Sequence, residues 1–301
     1  MTLPDTAAAT TATMIAPMTA GDRAFVAQLA RDVARAEILP RFRKLAPDAV
    51  AQKSGPQDLV TAADLAAEAA LTAAMQARFP QALVVGEEAV AADPTLRARM
   101  SEVPDAFVID PVDGTWNFAH GLPCFGVIIA RLTYGVPVYG LILDPISDDW
   151  VTGWQGGGAW METDAGARAL RVRAPAPLAW TSGYAAPWFL PAPQRRALND
   201  ALSATDRVQS LRCSAQEYRM LAQGHMGYAL SAMLHPWDHA AGALIVTEAG
   251  GHVRFLDGAP YTAARREGHL LCAPDPETWA ALCARITPAL RTGRAAPDVP
   301  D

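Results

Sequence analysis

Apolar and polar positions fall into two regimes along the chain. Between residues 19 and 46, Phe25, Leu29, Val33, Ala36 and Leu39 recur on one helical face with charged residues opposite, which predicts an amphipathic helix. Thr61 precedes an Ala-rich stretch running to Phe79 that predicts a second helix. Asp64 falls in its first turn, where the helix dipole favours an acidic side chain. Two short apolar runs follow, Leu83–Val85 ending at Gly86-Glu87-Glu88 and Ala106–Ile109 ending at Asp110, and both read as buried strands. Residues 124–162 predict a meander of strands with turns at Gly135-Val136-Pro137, Pro145–Asp149 and Gly156–Gly158.

Beyond about residue 175 the pattern changes to alternating strands and helices. Gln194–Leu202, Ala215–Gln223, His239–Ala249 and Glu277–Leu290 predict helices, the third stopped by Gly250-Gly251. Tyr228–Ser231 and Leu270–Cys272 predict strands. The implied organisation is an antiparallel α+β half over 19–174 and an α/β half over 175–291, joined by a Pro-rich segment near 174–178. Residues 1–18 are rich in Ala, Thr and Pro, without a basic start or a long apolar core. They read as a disordered tail rather than a signal peptide, and 292–301 read as a frayed end.

Composition narrows the function. A chain of 301 residues that is 51% hydrophobic and 19% charged has the balance of a globular protein. Its net charge of −6 argues against binding a nucleic-acid backbone, which needs a basic surface. Cys124, Cys213, Cys272 and Cys283 are scattered, without zinc-ligand spacing or a disulfide framework, so a reducing cytoplasm is the expected compartment. No apolar stretch is long enough to predict a membrane span.

Chemistry concentrates at Asp110-Pro111-Val112-Asp113-Gly114-Thr115. Two carboxylates delivered by a strand end repel each other, and a hard divalent cation such as Mg²⁺ relieves that repulsion. The Gly-Thr that follows offers backbone N–H groups at a helix start, which favours an anion. A lone D-x-x-D-G is equally compatible with an acidic turn capped by glycine. Three more clusters bear on the choice: Glu87 and Glu88 after the preceding strand, Asp238 in His235-Pro236-Trp237-Asp238, and Lys53 through Asp64. Each alone has a structural reading, as solvated turn residues, a helix N-cap, and a surface lysine before a dipole-stabilising acid.

Together these segments resemble the inositol monophosphatase family, part of the lithium-sensitive, metal-dependent phosphatase superfamily that includes fructose-1,6-bisphosphatase. The resemblance is carried by Asp58-Leu-Val-Thr61-Ala-Ala-Asp64, Gly86-Glu-Glu88, Asp110 through Phe118, and Trp237-Asp238-His-Ala-Ala-Gly242 leading into Thr247–Gly251, and covers roughly residues 20–290. It implies a layered α/β/α/β/α sandwich, two to three Mg²⁺ ions, and usually a homodimer. One ion would be held by Glu87, Asp110 and the Val112 carbonyl, a second by Asp110, Asp113 and Asp238, and a third, weaker one would lean on Glu87. Gly114 and Thr115 would bind phosphate, and Asp64 with Thr115 would orient and deprotonate the attacking water. Thr61, Lys53 and Glu88 would support the site.

The substrate pocket departs from the family pattern. The acidic residue that inositol phosphatases carry seven positions before the metal-binding aspartate is Ser231 here. The small Gly-[Ser/Thr]-Ala-Ala turn becomes Arg212-Cys213-Ser214-Ala215, followed by Gln216 and Glu217. Arg212 is expected to pair with Glu217, the alternative being a second anionic group on a substrate. Trp116 is expected to be packing or pocket wall. The His-Pro-Trp-Asp wording also resembles histidinol-phosphate phosphatases, but their preceding Trp-Gly-Asp segment is missing.

The reading is therefore a Mg²⁺-dependent phosphomonoesterase for a small polyol or sugar phosphate, not selective for inositol 1-phosphate, with no nucleic-acid or membrane partner. Rivals within the class are histidinol-phosphate phosphatase, fructose-1,6-bisphosphatase and 3′(2′),5′-bisphosphate nucleotidase. A catalytically silent binding protein and a calcium-stabilised structural domain are the readings outside it.

Overall fold

The computed structural model describes residues 15–46, 49–55 and 57–291. Helix α1 (Ala20–Val33) starts in a capping box between Thr19 and Asp22 and runs on as a wider π turn over Ala34–Ile38. A short antiparallel hairpin, β1 (Val50–Gly55) and β2 (Asp58–Thr61), leads into α2 (Ala62–Arg78). Thr61 and Asp64 form a second capping box there, so α2 begins and ends where the sequence pattern places it.

Seven strands make the larger sheet in chain order: β3 (Leu83–Gly86), β4 (Ala106–Asp113), β5 (Gly126–Thr133), β6 (Val136–Asp144), β7 (Asp149–Trp154), β8 (Gly158–Thr163) and β9 (Gly166–Ala169). Only β3 and β4 are parallel, and the helices α3 (Glu87–Ala92) and α4 (Leu96–Arg99) make their crossover. The meander thus extends one strand beyond residue 162.

The second sheet has the order β11-β10-β12-β14-β13, from β10 (Gly183–Ala185), β11 (Val208–Gln209), β12 (Tyr228–Ser231), β13 (His252–Phe255) and β14 (Leu270–Ala273). Its helices are α6 (Ala192–Leu202), α7 (Ser214–Ala222), α8 (Pro236–Glu248) and α9 (Pro276–Arg291). The small α5 (Thr115–Ala119) follows β4.

The period-two alternation of buried strands separates three cores and stacks five layers. On β4, Phe107 and Ile109 face α1 and α2, while Ala106 and Val108 face α7 and α8. On β14, Leu270 and Cys272 face the same middle helices, and Leu271 and Ala273 face α6 and α9. The layers are therefore α1/α2, the seven-stranded sheet, α7/α8, the five-stranded sheet, and α6/α9. The middle helices are shared: α8, from the second half of the chain, packs on β5, β6 and β7 of the first.

Two expectations are corrected. Residues 15–18 were placed in the tail, yet Met18 is buried in the α1/α2 core and the Ala16 carbonyl accepts from Arg131 at 3.2 Å. Asp238 is not an N-cap. Proline is favoured at the first helical position, so α8 opens at Pro236 with His235 as the cap residue, and Asp238 sits inside the first turn. Residues 1–14 and 292–301, the remainder of the expected tails, lie outside the described residues.

Candidate active site

Parallel pairing of β3 with β4, with Gly86 opposite Ile109, releases Glu87 and Asp110 side by side at one sheet end. The ladder to β5 then shifts between Asp110 and Asp113, a bulge that redirects the chain. Within it, Val112 N–H donates to Asp110 Oδ1 at 3.1 Å. Asp238 arrives from α8, and Glu87, Asp110 and Asp238 each offer an oxygen within 4.8 Å of the other two.

The second element is a hydroxyl–carboxylate chain. Asp64 Oδ2 accepts from Thr61 N–H at 2.9 Å and from Thr61 Oγ1 at 2.5 Å. Its Oδ1 meets Thr115 Oγ1 at 3.1 Å, and the same hydroxyl lies 3.0 Å from the Val112 carbonyl. Asp64 is 2% exposed, and burial, opposed by its Thr61 hydrogen bonds and reinforced by Glu87, pushes its pKa up to about 6.

The electrostatics of this cluster suit a cation. Burial and the facing carboxylates hold Asp110 and Asp238 well above the usual carboxylate range. Lys53 reaches Glu87 Oε1 at 2.6 Å and Glu88 Oε1 at 2.7 Å. Burial pulls the Lys53 ammonium down, but those two carboxylates more than offset it and hold its pKa above the ordinary value. Burial also lifts Glu88 to about 7. One ammonium cannot neutralise the three converging carboxylates of Glu87, Asp110 and Asp238 together with Glu88. An all-oxygen set of this kind suits a hard divalent cation, so the donor chemistry fits the metal that the motifs imply.

Beside the trio is the tight glycine turn that opens α5. Gly114 has φ +87°, and a Cβ there would stand 2.8 Å from the Cys124 carbonyl, so both backbone and packing require glycine. Asp113 is not one of these three, but it faces Asp110 and Asp238 electrostatically, and its Oδ2 accepts from Ala215 N–H at 2.6 Å and from Cys213 Sγ at 3.1 Å. It thereby caps α7 from the other half of the chain. Burial, opposed by these bonds, sets its pKa at about 6.

The pocket residues are arranged differently from expectation. Arg212 does not pair with Glu217. Glu217 turns to its own loop, accepting from Leu211 N–H at 2.7 Å and Ser210 Oγ at 3.1 Å, and burial raises its pKa to about 7. The Arg212 guanidinium instead lies 4.1 Å from the Trp116 ring centroid and donates to Gln57 Oε1 at 2.9 Å. Trp116 is half-buried, stacked on His120 at 4.0 Å. Ser214 opens α7, and Ser231 ends β12, half-buried.

Three further contributors have no role assigned from the sequence, although Asn117 and Cys213 lie inside the Asp110–Phe118 and Arg212–Ala215 segments. Glu68, 7% exposed, accepts from the N–H groups of Glu88 and Ala89, each at 2.8 Å, and so fixes the start of α3. Asn117 Nδ2 donates to the carbonyls of Cys124 at 2.9 Å and Leu211 at 2.8 Å, tying α5 to the Arg212 loop. Cys213 packs on Gly114. Glu68 left a signal outside those segments, since it lies one helical turn after Asp64 on the same face of α2.

A five-layer sandwich with acidic residues converging at a strand end presents a site whose donors could hold a divalent cation. The sequence profile of the inositol monophosphatase family matches residues 22–291, and the chain belongs to that family of phosphatases. It is 33% identical over 214 residues to the inositol-1-monophosphatase of Mesorhizobium japonicum, covering 68% of this chain and 74% of that one. It is 32% identical over 218 residues to the Nus factor SuhB of Pasteurella multocida, covering 72% and 78%. Among solved structures, an inositol monophosphatase from Zymomonas mobilis superposes with a TM-score of 0.73 at 25% identity, over 90% of this chain and 100% of that one. No helix among the described residues is long and apolar enough to cross a membrane.

Proposed function

We propose that this phosphatase is a Mg²⁺-dependent phosphomonoesterase for small polyol or sugar phosphates, cleaving them by direct attack of water. The observation that carries the reading is the convergence of Glu87, Asp110 and Asp238 within 4.8 Å of one another, beside the Asp64–Thr115 hydroxyl–carboxylate chain. Glu87, Asp110, Asp113, Asp238 and the Val112 carbonyl would hold two or three Mg²⁺ ions. Bound there, the metal supplies Lewis acidity toward the phosphoryl oxygens and lowers the pKa of a water.

The chain's own groups do the rest. Gly114 and Thr115 present N–H groups at the start of α5 to a phosphoryl oxygen. Asp64, with its pKa near 6, is poised to accept a proton close to neutral pH, and Thr115 Oγ1 orients the donor. Thr61 fixes Asp64 through two hydrogen bonds, and Lys53 with Glu68 fixes Glu87 and Glu88. No protein nucleophile is required.

The homodimer and lithium inhibition belong to the same reading. Phosphate release from inositol 1-phosphate, histidinol phosphate, fructose 1,6-bisphosphate and adenosine 3′,5′-bisphosphate, with and without Mg²⁺, tests it. Asp110→Asn should lower kcat about a thousandfold, equivalent to several kcal/mol of lost transition-state stabilisation. Activity that survives both chelation and this substitution would sink the reading. A hundredfold preference for inositol 1-phosphate would sink the expectation that the enzyme is not selective for it.

A further inference from the structure

We infer that Arg212 is the specificity residue of this site and selects substrates carrying a second anionic group, a phosphate or a carboxylate, besides the phosphoryl group cleaved. The inference rests on the proposed phosphomonoesterase activity and specifies its substrate class.

Arg212 stands next to the phosphate turn on two counts. Its neighbour Cys213 packs on Gly114, with the Cys213 Cβ 3.2 Å from where a Gly114 side chain would begin. Its guanidinium lies 4.1 Å from the ring centroid of Trp116, the residue after Thr115. The charge is uncompensated, because Arg212 makes no ion pair among the described residues. Its one side-chain hydrogen bond there is to the neutral amide of Gln57. The three arginines buried among the described residues, Arg31, Arg131 and Arg219, each hold a carboxylate, whereas half-buried Arg97 donates to the Leu234 carbonyl.

The backbone adds an independent sign. Arg212 has φ +54°, in the left-handed region, where an L side chain costs energy and glycine does not. Strain of this sort persists where surrounding structure over-determines it, commonly at ligand sites. Here the surroundings are specific: Asn117 and Glu217 clamp the flanking residue Leu211, and α7 begins just after. The strained turn holds a planar fork of N–H donors, with one face occupied by Trp116, beside the turn proposed to receive phosphate. Such a fork matches the oxygens of a carboxylate or phosphate in pairs.

A competing role is a latch, with Arg212 holding the β1–β2 hairpin through Gln57. Kinetics separate the two. We would compare Arg212→Gly, Arg212→Lys and Gln57→Ala with the parent on two doubly anionic esters, fructose 1,6-bisphosphate and 3-phosphoglycerate. Glycerol 2-phosphate and inositol 1-phosphate serve as singly anionic references. Glycine suits the backbone at 212, so Arg212→Gly should fold.

The expected result is a fall of about ten- to a hundredfold in the ratio of kcat/KM for doubly over singly anionic esters, carried by KM. Arg212→Lys should recover part of it, and Gln57→Ala should leave the ratio in place. A fall for both doubly anionic esters assigns a general anion subsite, and a fall for one assigns phosphate or carboxylate. Equal losses on both substrate classes would overturn the inference while leaving the phosphatase reading intact. Absence of turnover of all four esters by the parent with Mg²⁺ would overturn both.

Discussion

Gly86 and Glu68 should behave energetically as one unit. Gly86 occupies the cap position of α3 and has no side chain to offer, so the Glu68 carboxylate, from α2, accepts the Glu88 and Ala89 N–H groups instead. A Cβ on Gly86 would sit 2.0 Å from Glu68 Cδ, which leaves room for the carboxylate or the methyl but not both. Glu68→Ala orphans two N–H groups, at about 1–3 kcal/mol each when buried. An open groove of about 370 Å³, lined in part by Leu65, Glu68, Gly86 and Glu88, lets water reach them and moves the total to about 2–4 kcal/mol.

Gly86→Ala expels the flexible end of Glu68 and breaks the same two bonds, so it should cost a similar amount. The double variant has no carboxylate to expel and should be about as stable as either single one. Urea unfolding of the four proteins gives the coupling energy, expected at about 2–3 kcal/mol. Costs that add to within about 0.5 kcal/mol would refute the shared-bond argument. Because α3 begins at Glu87, phosphate release should fall in all three variants together.

Acid should weaken the fold through His239, which is 3% exposed and held near pKa 4 by burial. Its Nε2–H donates to the Met233 carbonyl at 2.5 Å while Nδ1 faces the Tyr218 hydroxyl at 3.0 Å, an arrangement that suits the neutral ring. The stability this contributes is complete above the unfolded pKa of about 6.5 and is lost as pH falls toward 4, at about 1.4 kcal/mol per pH unit and about 3 kcal/mol in all. Urea midpoints of the parent and His239→Gln should converge over that window, and parallel curves would contradict the assignment. Gly114→Ala combines a left-handed backbone with a methyl 2.8 Å from the Cys124 carbonyl, so about 2–3 kcal/mol of stability should be lost, with a larger loss of phosphatase activity. Unchanged kinetics in that variant would show that the turn does not receive phosphate.

What could be read in advance from the chain was local. The start of α2 after Thr61 with Asp64 in its first turn, the start of a strand at Ala106 and the helix start after Gly114 are each specified within a few residues and held. Strand β4, however, runs on to Asp113 rather than ending at Asp110. Strands β10, β11 and β13 escaped because two to four residues carry too little alternation to count. The partner of Arg212 escaped for a different reason. Glu217 is near in sequence but is drawn to Leu211 N–H, whereas Gln57 is 155 positions away and reaches Arg212 only through the packing of the two halves.

That distinction bears on how the site stays assembled. Asp110 and Glu87 come from one sheet, Asp238 comes from the shared middle layer, and Asp113 caps α7 across the same boundary. Buried Asp64, Asp110 and Asp113 and half-buried Asp238, near one another, oppose folding in the absence of a cation, and their elevated pKa values express that cost. The cores on both faces of the seven-stranded sheet must therefore supply the stability that the carboxylates spend. A cation binding there would return it by mass action, so core substitutions that leave every ligand in place should lower the urea midpoint while leaving the increment gained on adding Mg²⁺ unchanged. An increment that shrinks with each core substitution would contradict the argument.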